Sequence, residues 1–213
     1  FIDFETTRVA LPFFKDQNPY HNVAFQFSHH VLEADGAVRH ANQFLLAEPG
    51  VNPNSHFVRA LRDALAHEEG TVFMYSQHEN STLRAIHDDL ARQGELDGKE
   101  LQAFIETLVT PSDDSTNKWQ PSRPMVDLLR LVKDYVYLPA TNGSNSLKAV
   151  LPAILNASNY VKGKYSKAIY GAGCEIPSLN IGSTAWIRYD DEGAVINPYL
   201  LLPNVGADLS AEE

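Results

Sequence analysis

The sequence predicts a mixed α/β fold, with an antiparallel hairpin flank beside a parallel centre, and three observations carry that expectation. Phe1-Ile2-Asp3-Phe4 and Val23 to Leu32 read as strands, and Asp35-Gly36 turns the second into a third near Val38 to Leu46, an antiparallel order. Apolar residues then recur at helical spacing after Ser55, from Glu79 to Gln93 and from Leu101 to Leu108. Short apolar runs at Thr71 to Tyr75 and from Met125 onward alternate with those stretches, and strands that alternate with helices build parallel sheets.

Each element has a local reason. Ser55 is expected to cap the first helix, in which Phe57, Leu61, Ala64 and Leu65 share a face and after which Gly70 ends the connection. Leu83, Ile86 and Leu90 follow at steps of three and four, and only a polar turn separates them from the next helix. Residues 111–124 have loop composition and read as an insertion loop. Met125 to Tyr137 fits strand, helix, or a passage from one into the other, while Ser146 to Leu155 reads as a helix interrupted or ended near Pro152. Glycine and proline punctuate the last third, which suggests a hairpin around Asp190-Asp191-Glu192-Gly193.

Composition narrows the class. With 213 residues, 44% hydrophobic and 21% charged, the chain can bury the core of one large globular domain, or at most two small ones. Apolar runs such as Ala149 to Leu155 fall far short of the roughly 18 residues a spanning helix needs, so no membrane association is expected. The single cysteine, Cys174, excludes an internal disulfide, reads as a small buried hydrophobe, and suits a reducing, cytoplasmic setting. Seventeen basic against 27 acidic side chains give a net charge of -10, which argues against a protein that coats DNA electrostatically. Hard divalent cations, by contrast, take carboxylate oxygens as ligands.

The chain opens inside a strand without an initiator methionine, and Ser210 stands three residues before Glu213, the capping-box spacing that announces a helix. The expectation is a single domain over 1–213, excised from a longer protein and lacking its last helix.

Four acids stand out. Asp3 and Glu5 lie two apart on an apolar strand and therefore project to the same face, where neighbouring carboxylates need solvent or a cation. Glu79 follows the apolar run Val72 to Tyr75 at the start of a helix, the kind of strand end where α/β sheets place ligands; it also fits a first-turn acid favoured by the helix dipole. Asp127 begins the apolar segment after Pro124, and an ordinary helix cap explains it equally well. Thr141 to Lys148 is a polar turn into a helix whose amides and Lys148 could hold a phosphate, although the P-loop spacing is absent. His78, beside Glu79, is a candidate proton carrier.

Taken together, Phe1-Ile-Asp-Phe-Glu-Thr6, Pro19-Tyr20, Phe25-Gln-Phe-Ser28, His30, Tyr75, His78-Glu79-Asn80, Val126-Asp127-Leu128, Gly143-Ser144, Ser146 to Pro152 and Asn197-Pro198-Tyr199 resemble the ribonuclease H-like DEDD superfamily of 3'-to-5' exonucleases. More specifically, they resemble the uncharacterised domain family found C-terminal to RecB-like nuclease modules. The resemblance implies a ribonuclease H-like mixed central sheet with helices on both faces, and a RecB-like module in the same parent chain. It implies two magnesium or manganese ions held by Asp3, Glu5 and Glu79, with Asp127 as a further catalytic acid and with Thr6, His78 and Lys148 contacting substrate.

Two departures accompany the resemblance. Glu79 stands where the superfamily usually has an aspartate, and the last motif, a tyrosine or histidine four residues before an aspartate, has no match in 1–213, since Tyr189-Asp190 has the wrong spacing. The fourth carboxylate is therefore expected beyond Glu213. The implied activity is two-metal hydrolysis of DNA or RNA from a single-stranded 3' end; the alternative is an inactive scaffold of the same fold that binds nucleic acid or a partner protein.

Overall fold

A computed structural model describes residues 1–15, 17–112, 118–179 and 181–202, the side chain of Gln93 excepted. The chain forms two compact units, Phe1–Leu131 and a second beginning at Val132.

The first unit is mixed α/β. Strands β1 (Ile2–Thr7), β2 (Val23–Leu32) and β3 (Val38–Leu45) form an antiparallel sheet in that order. Asp35 holds the expected β2–β3 turn by accepting the Ala37 amide at 2.9 Å. A second sheet pairs β4 (Phe73–Met74) with β5 (Val126–Asp127) in parallel, Phe73 opposite Val126 and Met74 opposite Asp127. The strand expected over Thr71 to Tyr75 is thus two residues long. Phe1 and Phe73 stack with ring centroids 5.0 Å apart, which places β4 beside the start of β1.

Helices α1 (Asn54–Leu65), α2 (His78–Gln93) and α3 (Gly98–Leu108) close the core over the inner sheet face. Ile2, Phe4, Ala24 and Phe27 meet Phe57, Leu61, Leu83, Ile86, Leu101 and Ile105 there. Phe57 is the centre of an aromatic cluster, edge-on to Phe4, Phe27 and Phe44 at centroid distances of 4.7, 5.4 and 5.8 Å. Ser55 does not cap α1 as expected; it lies inside the helix and donates to Glu95 at 2.5 Å, and Pro53 occupies the cap. Asn54 ties α1 to the sheet instead, accepting the Ala24 amide at 2.9 Å and donating to the Asn22 carbonyl at 3.1 Å.

Met125 to Tyr137 passes from strand into helix: β5 runs straight into α4 (Leu128–Tyr135), and the boundary between the units falls within α4. Of the insertion loop at 111–124, residues 113–117 lie outside the described residues, and Trp119 anchors its second half by donating to the Val109 carbonyl at 2.8 Å.

The second unit holds α5 (Leu147–Ala157), α6 (Asn159–Tyr165) and an irregular region. Pro152 neither ends nor precedes α5 but sits inside it, and Asn156 donates to its carbonyl at 3.0 Å. Leu155, Ile187 and Val195 form its buried cluster. The expected hairpin is present as a Tyr189–Val195 bridge, with Asp190 accepting from the amides of Glu192 and Ala194. Cys174, expected to be buried, is half-exposed. The capping box at Ser210 to Glu213 lies outside the described residues. No described helix is long and apolar enough to cross a membrane.

Candidate carboxylate site

Alternation along β1 settles where its acids go. Ile2 and Phe4 enter the core while Asp3 and Glu5 take the opposite, exposed face, opposite Ser28 and Gln26 of β2. The pair expected from the sequence is therefore real as a shared face. The protein around Asp3 desolvates its carboxyl and pushes it above the usual range, against the opposing pull of His78.

Glu79 differs from an ordinary first-turn acid. It lies in the first turn of α2, yet its residue is only 2% exposed, and its Oε2 is buried without a hydrogen-bond partner. Burial pushes its carboxyl up to about 7, and the charges of Asp3 and Asp127 push the same way. The backbone amides of Phe4 and of Glu79 itself favour the ionised form but are outweighed. Since α2 starts at the end of β4 and contacts β1, the chain brings Glu79 to Asp3 through the junction of its two sheets.

Asp127 closes the far side. Its Oδ1 accepts the amides of Ser76 at 2.8 Å and Leu129 at 2.9 Å, and its Oδ2 accepts from Gln77 Nε2 at 3.1 Å. It is thus both the cap of α4 and the clamp on the β4–α2 turn. That turn is strained, because Ser76 holds φ at 86°, a region few residues other than glycine adopt. The sequence signal for this clamp was weak: Ser76 and Gln77 form part of an unremarkable polar turn.

Thr6 and His78 join β1 to α2, with Thr6 Oγ1 and His78 Nε2 3.3 Å apart. Lys148 belongs to the second unit, where its Nζ lies 5.8 Å from the centroid of the Tyr199 ring. The structure thus links Asp3, Thr6, His78, Glu79 and Asp127 by hydrogen bonds and mutual charge, and sets Glu5 on the face of Asp3. Among the described residues, no three His, Cys, Asp or Glu side chains are grouped so that together they could hold a metal ion.

Sequence reasoning missed a second polar cluster that fixes the β1–β2 connection to α2. Asn22, buried, donates to Thr82 Oγ1 at 2.8 Å and accepts from Arg8 at 3.3 Å, and His21 Nε2 sits 2.6 Å from Asp89 Oδ2. Asn22 immediately before the apolar start of β2 was its one visible sign.

Residues 1–146 match the family model of DUF2779, a domain of unknown function. No curated protein and no solved structure matches the chain.

Proposed function

The chain belongs to the DUF2779 family, and from the carboxylate site in the region of that match we propose that it is a metal-dependent nuclease, a two-metal 3'-to-5' exonuclease of the ribonuclease H-like type. One observation carries the reading: Glu79 is buried with an unpartnered Oε2, and the charges that act on it, Asp3 and Asp127, are acids. A buried carboxylate among carboxylates is costly unless a cation joins it.

The donor set fits magnesium or manganese. Asp3, Glu5 and Glu79 offer only oxygen, and magnesium is commonly held by one or two carboxylates together with substrate phosphate and water, without a closed protein cage. Such ions, when bound, polarise the phosphoryl group and make a water more acidic. Asp3 and Glu79 would hold the ions from β1 and α2, with Glu5 beside Asp3. Asp127 keeps the β4–α2 turn, and hence Glu79, in place, while the Thr6–His78 contact fixes the end of β1. Hydrolysis joins a water oxygen to phosphorus, breaks the P–O3' bond and leaves a proton on the departing 3' oxygen. The antiparallel flank and parallel pair, joined where Phe1 stacks on Phe73, support the ribonuclease H-like architecture in this reading.

The binding scaffold without cleavage has its own support in Asp127, whose two oxygens are engaged by Ser76, Gln77 and Leu129 and thus serve the architecture. Labelled single-stranded DNA and RNA with magnesium or manganese decide between them. The nuclease reading expects metal-dependent shortening that Asp3→Ala and Glu79→Gln abolish. Equal shortening by the variants overturns it, and binding without shortening by the wild type supports the scaffold.

A further inference from the structure

We propose that the second unit carries a binding face for single-stranded nucleic acid on α6 and the turn that follows it, built from Tyr160, Gly163 and Lys164 of the helix and Lys167 of the turn. The proposal goes beyond hydrolysis: binding there requires neither a cation nor cleavage, and none of its residues belongs to the carboxylate site.

Charge is the first argument. Although the chain carries a net charge of -10, residues 135–174 contain Lys148, Lys162, Lys164 and Lys167 and no aspartate or glutamate. Among the described residues, Lys162, Lys164 and Lys167 form no ion pair with an acid. A local surplus of unneutralised lysine is what phosphate backbones recognise, whatever the overall charge.

Geometry is the second. Positions 160, 163, 164 and 167 follow the i, i+3, i+4, i+7 spacing of one helical face. The helical path continues past Tyr165, since the Ser166 amide bonds the Lys162 carbonyl at 3.0 Å. All four residues line one open cleft of about 580 Å³, with Ile169 at its floor and Glu175 as its acidic member. Tyr160 is 78% exposed, an aromatic face presented to solvent beside the lysines. Positive side chains tracking a backbone, with an aromatic ring on which a base stacks, are the two parts of a sequence-tolerant single-strand site.

Gly163 is the third and most specific. It lies inside α6, where glycine weakens a helix relative to alanine, yet its φ is not left-handed and a Cβ there would meet no atom within 4 Å. Among the described residues, no packing contact or left-handed φ calls for glycine at that position. Close approach of a ligand to the helix backbone, between Tyr160 and Lys167, does. An acidic protein or an anionic membrane would use the lysines without needing this gap or the exposed ring.

Fluorescence anisotropy of the full chain with fluorescein-labelled dT12 and U12, in EDTA at low salt, tests the face. The wild type should bind at least one strand, and comparison of the two strands tells DNA from RNA. Lys164→Glu with Lys167→Glu should weaken binding at least tenfold and flatten its salt dependence by close to two phosphate contacts. Gly163→Gln should weaken it about tenfold while leaving the fold intact by circular dichroism, and Gly163→Ala should raise thermal stability without strengthening binding. No binding by the wild type, affinity within twofold for the double variant or for Gly163→Gln, or equal competition by polyglutamate would overturn the proposal.

Discussion

Asp3 on β1 and Glu79 on α2 lie close enough for the charge of one to disfavour that of the other, and Glu79, the more buried, is raised to about 7. Two elements far apart in sequence thus meet through a repulsion that His78 offsets only in part, at Asp3.

The raised Glu79 carboxyl, displaced first by burial and then by the charge of Asp3, predicts how stability depends on pH. Below the ordinary value of 4.5, Glu79 is protonated whether the chain is folded or unfolded; between 4.5 and about 7 the folded state binds more proton, so its contribution to stability falls as pH rises. Without added metal, Glu79→Gln should therefore be near neutral at pH 4 and stabilising by about 2–3 kcal/mol at pH 8. Urea melts of both proteins at the two pH values check this; a difference independent of pH contradicts it.

Asn54 is the joint between α1 and β2, buried and hydrogen-bonded in both directions. Asn54→Ala leaves the Ala24 amide and the Asn22 carbonyl buried without partners and should cost about 2–3 kcal/mol. Asn54→Asp keeps the acceptor but sets a buried carboxylate oxygen against the Asn22 carbonyl, so it should cost at least as much. Chemical denaturation at neutral pH measures the series.

Much of this architecture was legible in the sequence. Period-two alternation put Asp3 and Glu5 on one face, and period-three-and-four spacing found α1, α2 and α3 near their observed bounds. What escaped depends on contacts between distant segments. Glu79 is burdened by its packing against β1, which no local pattern reports, and a first-turn glutamate normally faces water. Ser55 has cap chemistry but serves Glu95, because Pro53 already sets the start of α1. Pro152 signals a helix end by local rules, yet α5 continues through it as Val150, Ala153 and Leu155 are buried. Asp127 allowed both a cap and a site reading, and the structure gives it the cap together with the clamp on Ser76.

The strained turn makes a further prediction. Ser76→Gly relieves the positive φ and should raise stability by about 1 kcal/mol. Asp127→Ala removes three accepted hydrogen bonds, one of them from Ser76, and should cost about 2–4 kcal/mol. Thermal melts of both variants test the assignment of Asp127 as the clamp; a neutral Asp127→Ala would refute it.

The β1–β2 connection should respond to Asp89, which is buried and contacts both His21 and Arg92. Asp89→Asn should lower stability by about 1–3 kcal/mol at neutral pH, because the carboxylate that His21 and Arg92 contact loses its charge while its volume is kept. Amide exchange should then quicken at His21 and Asn22 more than in β3, and uniform quickening would show that the contact is not local.

Calorimetric titration of manganese into the protein at pH 7.5, without nucleic acid, asks whether the carboxylates of β1 and α2 hold a cation. If Asp3 and Glu79 hold the cation, the wild type binds manganese with release of protons from Glu79, and both Asp3→Asn and Glu79→Gln lose at least tenfold in affinity. Manganese binding of equal strength in all three proteins, or none in the wild type, would contradict the account.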